Sequence, residues 1–490
     1  MAALILEIWR GGVRALLCAF CGLGVLIAIL IPPFQVPDEP VHWTAANSRT
    51  TLSRQADNPD VACSLANQLP HVFEVGRIAF RDTEKISGRQ FRNIDLMKPA
   101  CGQSALNYGI ITTYPGILAA RAITTGDSTF GHKAFQVFIF SRIFQGAFLL
   151  LVAWRLVSLS LSTNRIVPGL LVSLTMMVSP LFLQQSFSLS ADVVTFALPL
   201  SLLLFMFHLI NVRWFDWAVL FAISITVCAT KPTLFAIIPV FLYAGLLRSK
   251  QEGQYPTWPV CMRSSEAWLM HLCVFMSLCA ALWISLAQPI NAAGTSPVNG
   301  SIKGQIAHIV QHPLGSFLLL VNTTWAYCSS WGPYLGSLGW LDTHLSGWTQ
   351  KRYQHLLTLA AIVDLLICLI TWIRGGAQRN HLRALQWKIP LNSIVAVSLF
   401  AAGLCTSLII YLSWSPVGAA SISGLQPRYF LPFLLPVPVL LGDLLSGGQI
   451  KLEGDNKKSV PGSLLGYVLF GVASLLFFCP LYLDLILRWW

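Results

Sequence analysis

Apolar residues recur along this chain in runs of about twenty, separated by short polar or basic stretches. A helix crosses the ~30 Å hydrocarbon core of a bilayer in roughly 20 mainly apolar residues, so each run has the length of a span. The pattern predicts spans at Arg14 to Pro33, Ala134 to Val157, Ile166 to Gln185, Phe187 to Leu209, Phe215 to Thr230 and Pro232 to Leu247. It continues at Trp268 to Ile290, Tyr353 to Ile373, Pro390 to Ser413, Tyr429 to Leu445 and Leu464 to Leu485, eleven in all. The two short spans meeting at Lys231-Pro232 read equally as one broken hairpin, because a proline there removes a helix donor. No segment alternates apolar and polar residues over about ten positions, as a membrane barrel would. The predicted fold class is all-α and polytopic, a single integral membrane domain over residues 1–490.

The basic residues set the direction of threading. Arg10/Arg14, Arg155/Arg165, Arg213, Arg248/Lys250/Arg263, Arg374/Arg379/Arg383/Lys388 and Lys451/Lys457/Lys458 fall on one side if eleven spans start from a cytoplasmic N-terminus. That is the bias the positive-inside rule describes. Residues 107–123 are apolar enough for a twelfth span, but counting them would invert every later basic loop, so they read as a re-entrant or interfacial helix on the outer face. Two regions then lie outside, residues 34–133 and residues 291–352, and Gly304 to Trp325 reads as lying along the membrane. The first run is too long, and too clearly followed by further spans, for a cleaved leader; it reads as a retained signal anchor.

Composition agrees with this picture: 55% of the 490 residues are hydrophobic and only 11% are charged. The net charge of +12 belongs to the loop cations that fix topology and implies no nucleic-acid partner. Most of the twelve cysteines fall in predicted spans and read as small buried hydrophobes. Cys63 and Cys101 share the first external region, where an oxidising compartment permits a disulfide; two unpaired thiols are the alternative.

The chemistry concentrates where the first span ends. Pro32-Pro33-Phe34-Gln35-Val36-Pro37-Asp38-Glu39-Pro40-Val41-His42-Trp43 places two acids, an imidazole and an indole at the membrane surface. On the same side the topology puts Arg142, Asp192, Lys231, Asp342 and Arg428. An ionisable residue inside a span faces a partner or a wet cavity, so acids and bases gathered on one side suggest one site. Each has a plainer reading. Asp38 and Glu39 would cap a following helix at Pro40, or bind a divalent ion through hard oxygens. Arg142 and Asp192 would form a structural ion pair, Lys231 would reach to the interface, and His42 would orient neighbours. Asp364, mid-span, reads as a helix-packing residue. Trp325, Trp331 and Trp340 would stack on sugar faces or form an interfacial aromatic belt. No phosphate-binding P-loop, zinc HExxH or dinucleotide GxGxxG is present.

The opening motif resembles the signature of a bacterial family of predicted multi-spanning membrane proteins known as a domain of unknown function. Ser190-Ala191-Asp192, Lys231-Pro232, Leu338-Gly339-Trp340-Leu341-Asp342-Thr343 and Gln426-Pro427-Arg428-Tyr429-Phe430-Leu431-Pro432 extend the resemblance over most of the chain. That family in turn resembles the GT-C superfamily of polyprenyl-phosphate-sugar glycosyltransferases. The resemblance implies a catalytic acid at Asp38, with Glu39 beside it, and a donor-phosphate contact at Arg428. Lys231, Arg142, His42, Asp192, Tyr429, Trp340 and Asp342 complete the expected substrate-binding set. The expectation is transfer of a sugar from a polyprenyl-phosphate carrier to an envelope glycan, lipid or protein at the outer face of the bacterial cytoplasmic membrane. No cofactor is required by it, although a divalent metal is compatible. A transporter or flippase of a lipid-linked saccharide, and a polymerase or ligase of lipid-linked glycans, are the alternatives. Eleven spans place the C-terminus outside: an alkaline phosphatase fused after Trp490 is expected to be active and a fluorescent-protein fusion dark, and the reverse result would require an even number of spans.

Overall fold

The computed structural model describes residues 2–31, 36, 39, 130–163, 166–251, 262–287, 301–329, 337–338, 343–376, 381–446 and 461–489. Their helices are, in chain order, α1 (Ala2–Leu30), α2 (Phe130–Ser162), α3 (Leu170–Met177), α4 (Pro180–Ser186), α5 (Asp192–His208), α6 (Trp214–Thr230) and α7 (Ile237–Gln251). They continue with α8 (Ser265–Ala287), α9 (Ile302–Gln311), α10 (Pro313–Ser329), α11 (Gly347–Gly376), α12 (His381–Trp414), α13 (Leu431–Leu434), α14 (Val437–Leu445) and α15 (Pro461–Trp489). Among the described residues eight helices are long and apolar enough to cross a membrane: α1, α2, α5, α7 with the turn before it, α8, α11, α12 and α15. The protein is an all-α polytopic membrane protein.

Two predicted spans take another form. Residues 166–185 fold as α3 and α4, separated at Ser179-Pro180. Residues 429–445 fold as a 3-10 turn followed by α13 and α14, in a stretch carrying Pro432, Pro436 and Pro438. In each case proline removes the amide that the continuing helix needs. The span at Phe215 to Thr230 is α6, at 17 residues a short helix. Irregular backbone is tolerated at membrane depth only where protein or a polar cavity satisfies it. Here protein does so: Asp364 on α11, a packing residue by sequence, accepts the Val172 N–H at 3.0 Å in the first turn of α3.

α5 is the central element. All its residues are buried, and it packs against α2, α6 and α7. Around it the longer helices turn large apolar side chains outward, such as Trp268, Phe275 and Trp283 on α8 and Leu365 and Trp372 on α11. A helix sheathed by others is polar-tolerant, because its neighbours rather than lipid meet its side chains. α1 and α15 pack closely at Gly11 and Gly466. A Cβ at Gly466 would sit 2.2 Å from the Ile8 carbonyl oxygen, and one at Gly11 2.1 Å from that of Ser463. At Gly169, φ is +83°, and a Cβ would lie 2.0 Å from the Pro438 carbonyl oxygen, so the turn before α3 docks on α14 only as glycine.

Residues 291–352 contain α9, α10 and a two-residue antiparallel ladder, Ser337–Leu338 with Thr343–His344. α9 and α10 expose Ile306, Val310, Leu314, Phe317 and Trp325, the apolar face that a helix lying in a membrane interface presents. Thr324 on α10 meets Ser407 on α12 at 2.8 Å. Residues 107–123, Cys63 and Cys101 lie outside the described residues.

Among the described residues, the buried ion pairs of the bundle lie toward its two ends. At the end carrying the basic loops, Asp443 accepts from Arg248 Nη1 and Nη2 (3.0 and 2.9 Å), Lys388 Nζ (3.0 Å) and Asn392 Nδ2 (3.0 Å). Nearby Arg155 holds Asp216 through two bonds of 2.7 Å. The Asp443 cluster is closed, with every member buried, and it ties α7, α12 and α14 together. Asp443→Ala leaves two buried cations facing each other, a loss of about 3–5 kcal/mol. The thermal midpoint in detergent is expected to fall well below that of the wild type, and an unchanged midpoint would refute the clamp.

Candidate functional site

The site forms at the other end of the bundle, where three stretches of chain leave helical geometry together. Asp192 opens α5; its N–H donates to Ser190 Oγ at 3.1 Å, and its carboxylate occupies the first turn, where the helix dipole favours negative charge. Lys231 ends α6, because Pro232 turns the chain into the 3-10 stretch Pro232–Ala236. Arg428 sits in the 3-10 turn Pro427–Tyr429 ahead of α13. These residues are 39 and 236 positions from Asp192, by their numbers in the chain.

One carboxylate draws the two cations together. Lys231 Nζ donates to Asp192 Oδ1, and Arg428 Nε lies 3.6 Å from Asp192 Oδ2. Arg428 also donates through Nη1 to Gln185 Oε1 (3.4 Å) and through Nη2 to the Tyr429 hydroxyl (3.3 Å). The Tyr429 ring centroid is 5.1 Å from the Arg428 guanidinium carbon and 5.5 Å from Lys231 Nζ, a cation–π arrangement with both. Asp192 and Arg428 are buried, whereas the Lys231 side chain is 28% exposed. Lys231 is therefore the cation an incoming ligand meets.

A cavity of about 270 Å³ opens on this group. Asp192, Lys231 and Tyr429 line it together with Thr230, Thr233, Thr406 and Trp414. Behind Arg428, Gln185 Nε2 is buried with no hydrogen-bond partner among the described residues, as is the hydroxyl of Ser186. A second, apolar cavity of about 560 Å³ borders the same chain segment: Pro432 and Phe433 face the polar cavity, while Leu434, Val437, Leu441 and Leu445 line the apolar one with Met176 and Leu357. Cys328 on α10 lies in its wall, and burial pushes that thiol up to about 11.

Glu39 is occupied differently. Its Oε1 accepts from Arg142 Nε at 2.7 Å and its Oε2 from Arg142 Nη2 at 2.6 Å, with both side chains fully buried. Arg142 Nη1 donates to the carbonyl oxygens of Ala28 (3.0 Å) and Ile31 at the end of α1. Glu39 Oε1 also accepts the Leu189 N–H at 3.2 Å, three residues before Asp192. Arg142 thus pairs with Glu39, while Asp192, the partner that its position along the chain suggested, is met by Lys231 and Arg428. Asp38, His42, Trp340 and Asp342 lie outside the described residues.

Sequence reasoning passed over Gln185, Thr406 and Trp414. Gln185 left a signal, since Gln184-Gln185-Ser186 is a run of polar side chains inside an apolar span, and such residues are retained where they meet a partner. Thr406 and Trp414 left none; a threonine within a span and a tryptophan at its end are ordinary in membrane helices. Among the described residues no group of three or more His, Cys, Asp or Glu side chains converges.

Fold and site together define a multi-pass helical membrane protein with a polar, charge-lined cavity at one end of its bundle. The chain belongs to the family described as predicted membrane protein (DUF2142), a domain of unknown function, whose model matches residues 21–437. No curated protein and no solved structure matches it. If the Arg142–Glu39 pair holds the end of α1 to α2 and to the loop before α5, Glu39→Leu should cost about 3–5 kcal/mol by stranding Arg142. The double variant Glu39→Leu/Arg142→Leu should recover most of that, and a double-mutant cycle on thermal midpoints measures the coupling; additive losses would break the assignment.

Proposed function

We propose that this protein is a glycosyltransferase of the GT-C type, which transfers a sugar from a polyprenyl-phosphate carrier to an envelope glycan, lipid or protein at the outer face of the bacterial cytoplasmic membrane. The observation that carries the reading is the convergence of Lys231 and Arg428 on Asp192, which with Lys231 lines a cavity at the end of the bundle opposite the basic loops. By the positive-inside rule that end faces outward. A phosphate with an apolar tail suits this place: its oxygens take hydrogen bonds from an ammonium and a guanidinium. Its chain has the apolar cavity on the far side of Pro432 and Phe433.

The chemistry follows from those charges. A carboxylate removes the proton from an acceptor hydroxyl, the acceptor oxygen bonds to the anomeric carbon, and the bond from that carbon to the phosphate oxygen breaks. The electron pair leaves with polyprenyl phosphate, whose added negative charge Lys231 and Arg428 stabilise. A single displacement inverts the anomeric carbon. Glu39, with both oxygens held by Arg142, is a positioning residue in this scheme; the base is Asp38, its neighbour in sequence. Asp192 keeps the two cations on one locus. The charges at the cavity lie at one end of the bundle, while those at the other end are closed off in the buried Asp443 cluster, which favours an enzyme over an alternating-access transporter.

The test is transfer by the purified protein in lipid from a panel of radiolabelled polyprenyl-phosphate sugars. Wild type should transfer at least one, Asp38→Asn should abolish transfer with donor binding intact, and Arg428→Ala should weaken donor binding by roughly ten- to hundredfold. Donor binding without transfer across a broad acceptor panel would move the assignment to a transporter.

A further inference from the structure

Three threonine hydroxyls in the wall of the polar cavity are turned the same way. Thr230 Oγ1 donates to the Val227 carbonyl (3.0 Å), Thr406 Oγ1 to that of Ala402 (2.9 Å) and Thr195 Oγ1 to that of Asp192 (2.6 Å). Each of these hydroxyls has one proton and two lone pairs. With the proton committed to a helix carbonyl, what remains for the cavity is acceptance. Thr233 and Thr406 approach each other at 3.4 Å across it, linking the turn after α6 to α12. Ser190 Oγ, in the same wall, accepts the Asp192 N–H and keeps its own proton, so the wall offers mainly acceptors with a donor among them, a mixture that suits a ligand rich in hydroxyl groups.

Above that wall stands an aromatic surface. Trp414, the last residue of α12, lines the cavity while 42% exposed. Its indole is backed by Gly424, where a Cβ would lie 3.5 Å from Cγ and Cδ2 and where φ is +76°. The turn that supports the ring is thus one that favours glycine. Tyr429 supplies a second ring on the side of the cations. The volume of about 270 Å³ is below the usual range for drug-sized ligands and fits a single small ring.

We infer that this cavity is a carbohydrate subsite for one monosaccharide ring, with Trp414 as its platform and Thr230, Thr233 and Thr406 accepting its hydroxyl protons. The inference rests on the glycosyltransferase reading only for what adjoins the ring, a phosphate at Lys231 and Arg428. It adds that the cavity itself takes one sugar ring, and it names specificity residues remote in sequence from the acidic motif.

The experiment measures equilibrium binding by the full-length protein in lipid nanodiscs. The probes are radiolabelled farnesyl phosphate, a panel of farnesyl-phosphate monosaccharides, and uncharged octyl glycosides of the same sugars. Variants are Trp414→Leu, Trp414→Phe and Thr406→Val, each checked for an unchanged thermal midpoint, with Trp414→Phe as the variant that keeps a ring. At least one sugar ester should bind wild type about tenfold more tightly than bare farnesyl phosphate. Trp414→Leu should remove that advantage, Thr406→Val should reduce it several-fold, and Trp414→Phe should retain most of it, while bare farnesyl phosphate binds all variants alike. Equal losses for the ester and the bare phosphate, or no ester preferred by wild type, would overturn the subsite. If farnesyl phosphate does not bind wild type but an octyl glycoside binds in a Trp414-dependent way, the donor reading fails and the carbohydrate subsite stands. If neither binds, both fall.

Discussion

A guanidinium enclosed in an apolar bundle has to be satisfied atom by atom, and Arg142 shows how completely that demand shapes this protein. Two of its nitrogens meet the two oxygens of Glu39, and the third meets carbonyls at the end of α1. Isolated burial of either charge would be prohibitive, whereas a paired and hydrogen-bonded arrangement is tolerated. The pair brings together the end of α1, the middle of α2 and, through the Leu189 amide, the loop that opens α5. Asp192 is three residues from that amide. The position of the cavity therefore depends on a bond between residues that contribute nothing to its lining.

The same desolvation rule operates at both ends of the bundle with opposite results. Asp443 is met by Arg248, Lys388 and Asn392 in a knot with no member exposed. Asp192 is met by Lys231 and Arg428, but Lys231 is partly exposed and a cavity adjoins the pair. A closed cluster fastens helices. An open one keeps cations oriented while leaving room for a third group, which is how a binding site for an anion differs from a structural ion pair.

Helix breaks make that opening. Pro180 and Pro432 fall inside predicted spans and Pro232 and Pro427 at the edges of others, and three of these prolines border the same site. Non-helical backbone at such depth survives only inside protein or beside a polar space. The interruptions place Lys231 and Arg428 at chain turns rather than on lipid-facing helix surfaces, and they leave short elements such as α13 between a polar cavity and an apolar one.

Much of this was legible in the residues alone. Run length against bilayer thickness gives the class and most spans, proline marks where helices stop, and the scarcity of charge in and immediately beside spans singles out Arg142, Asp192, Lys231 and Arg428. These are local properties, readable within a window of some twenty positions. Pairing is not local. Arg142 takes Glu39, 103 residues away, and Arg428 takes Gln185, 243 residues away; a choice among equally plausible carboxylates and amides depends on which helix ends meet in space. Trp414 and Thr406 carry no mark in the sequence because a tryptophan at a span end and a threonine within one serve lipid and helix equally well. Tertiary packing alone gave them a cavity to line, by setting the end of α12 against the breaks after α6 and before α13, where buried charge had to find its partners.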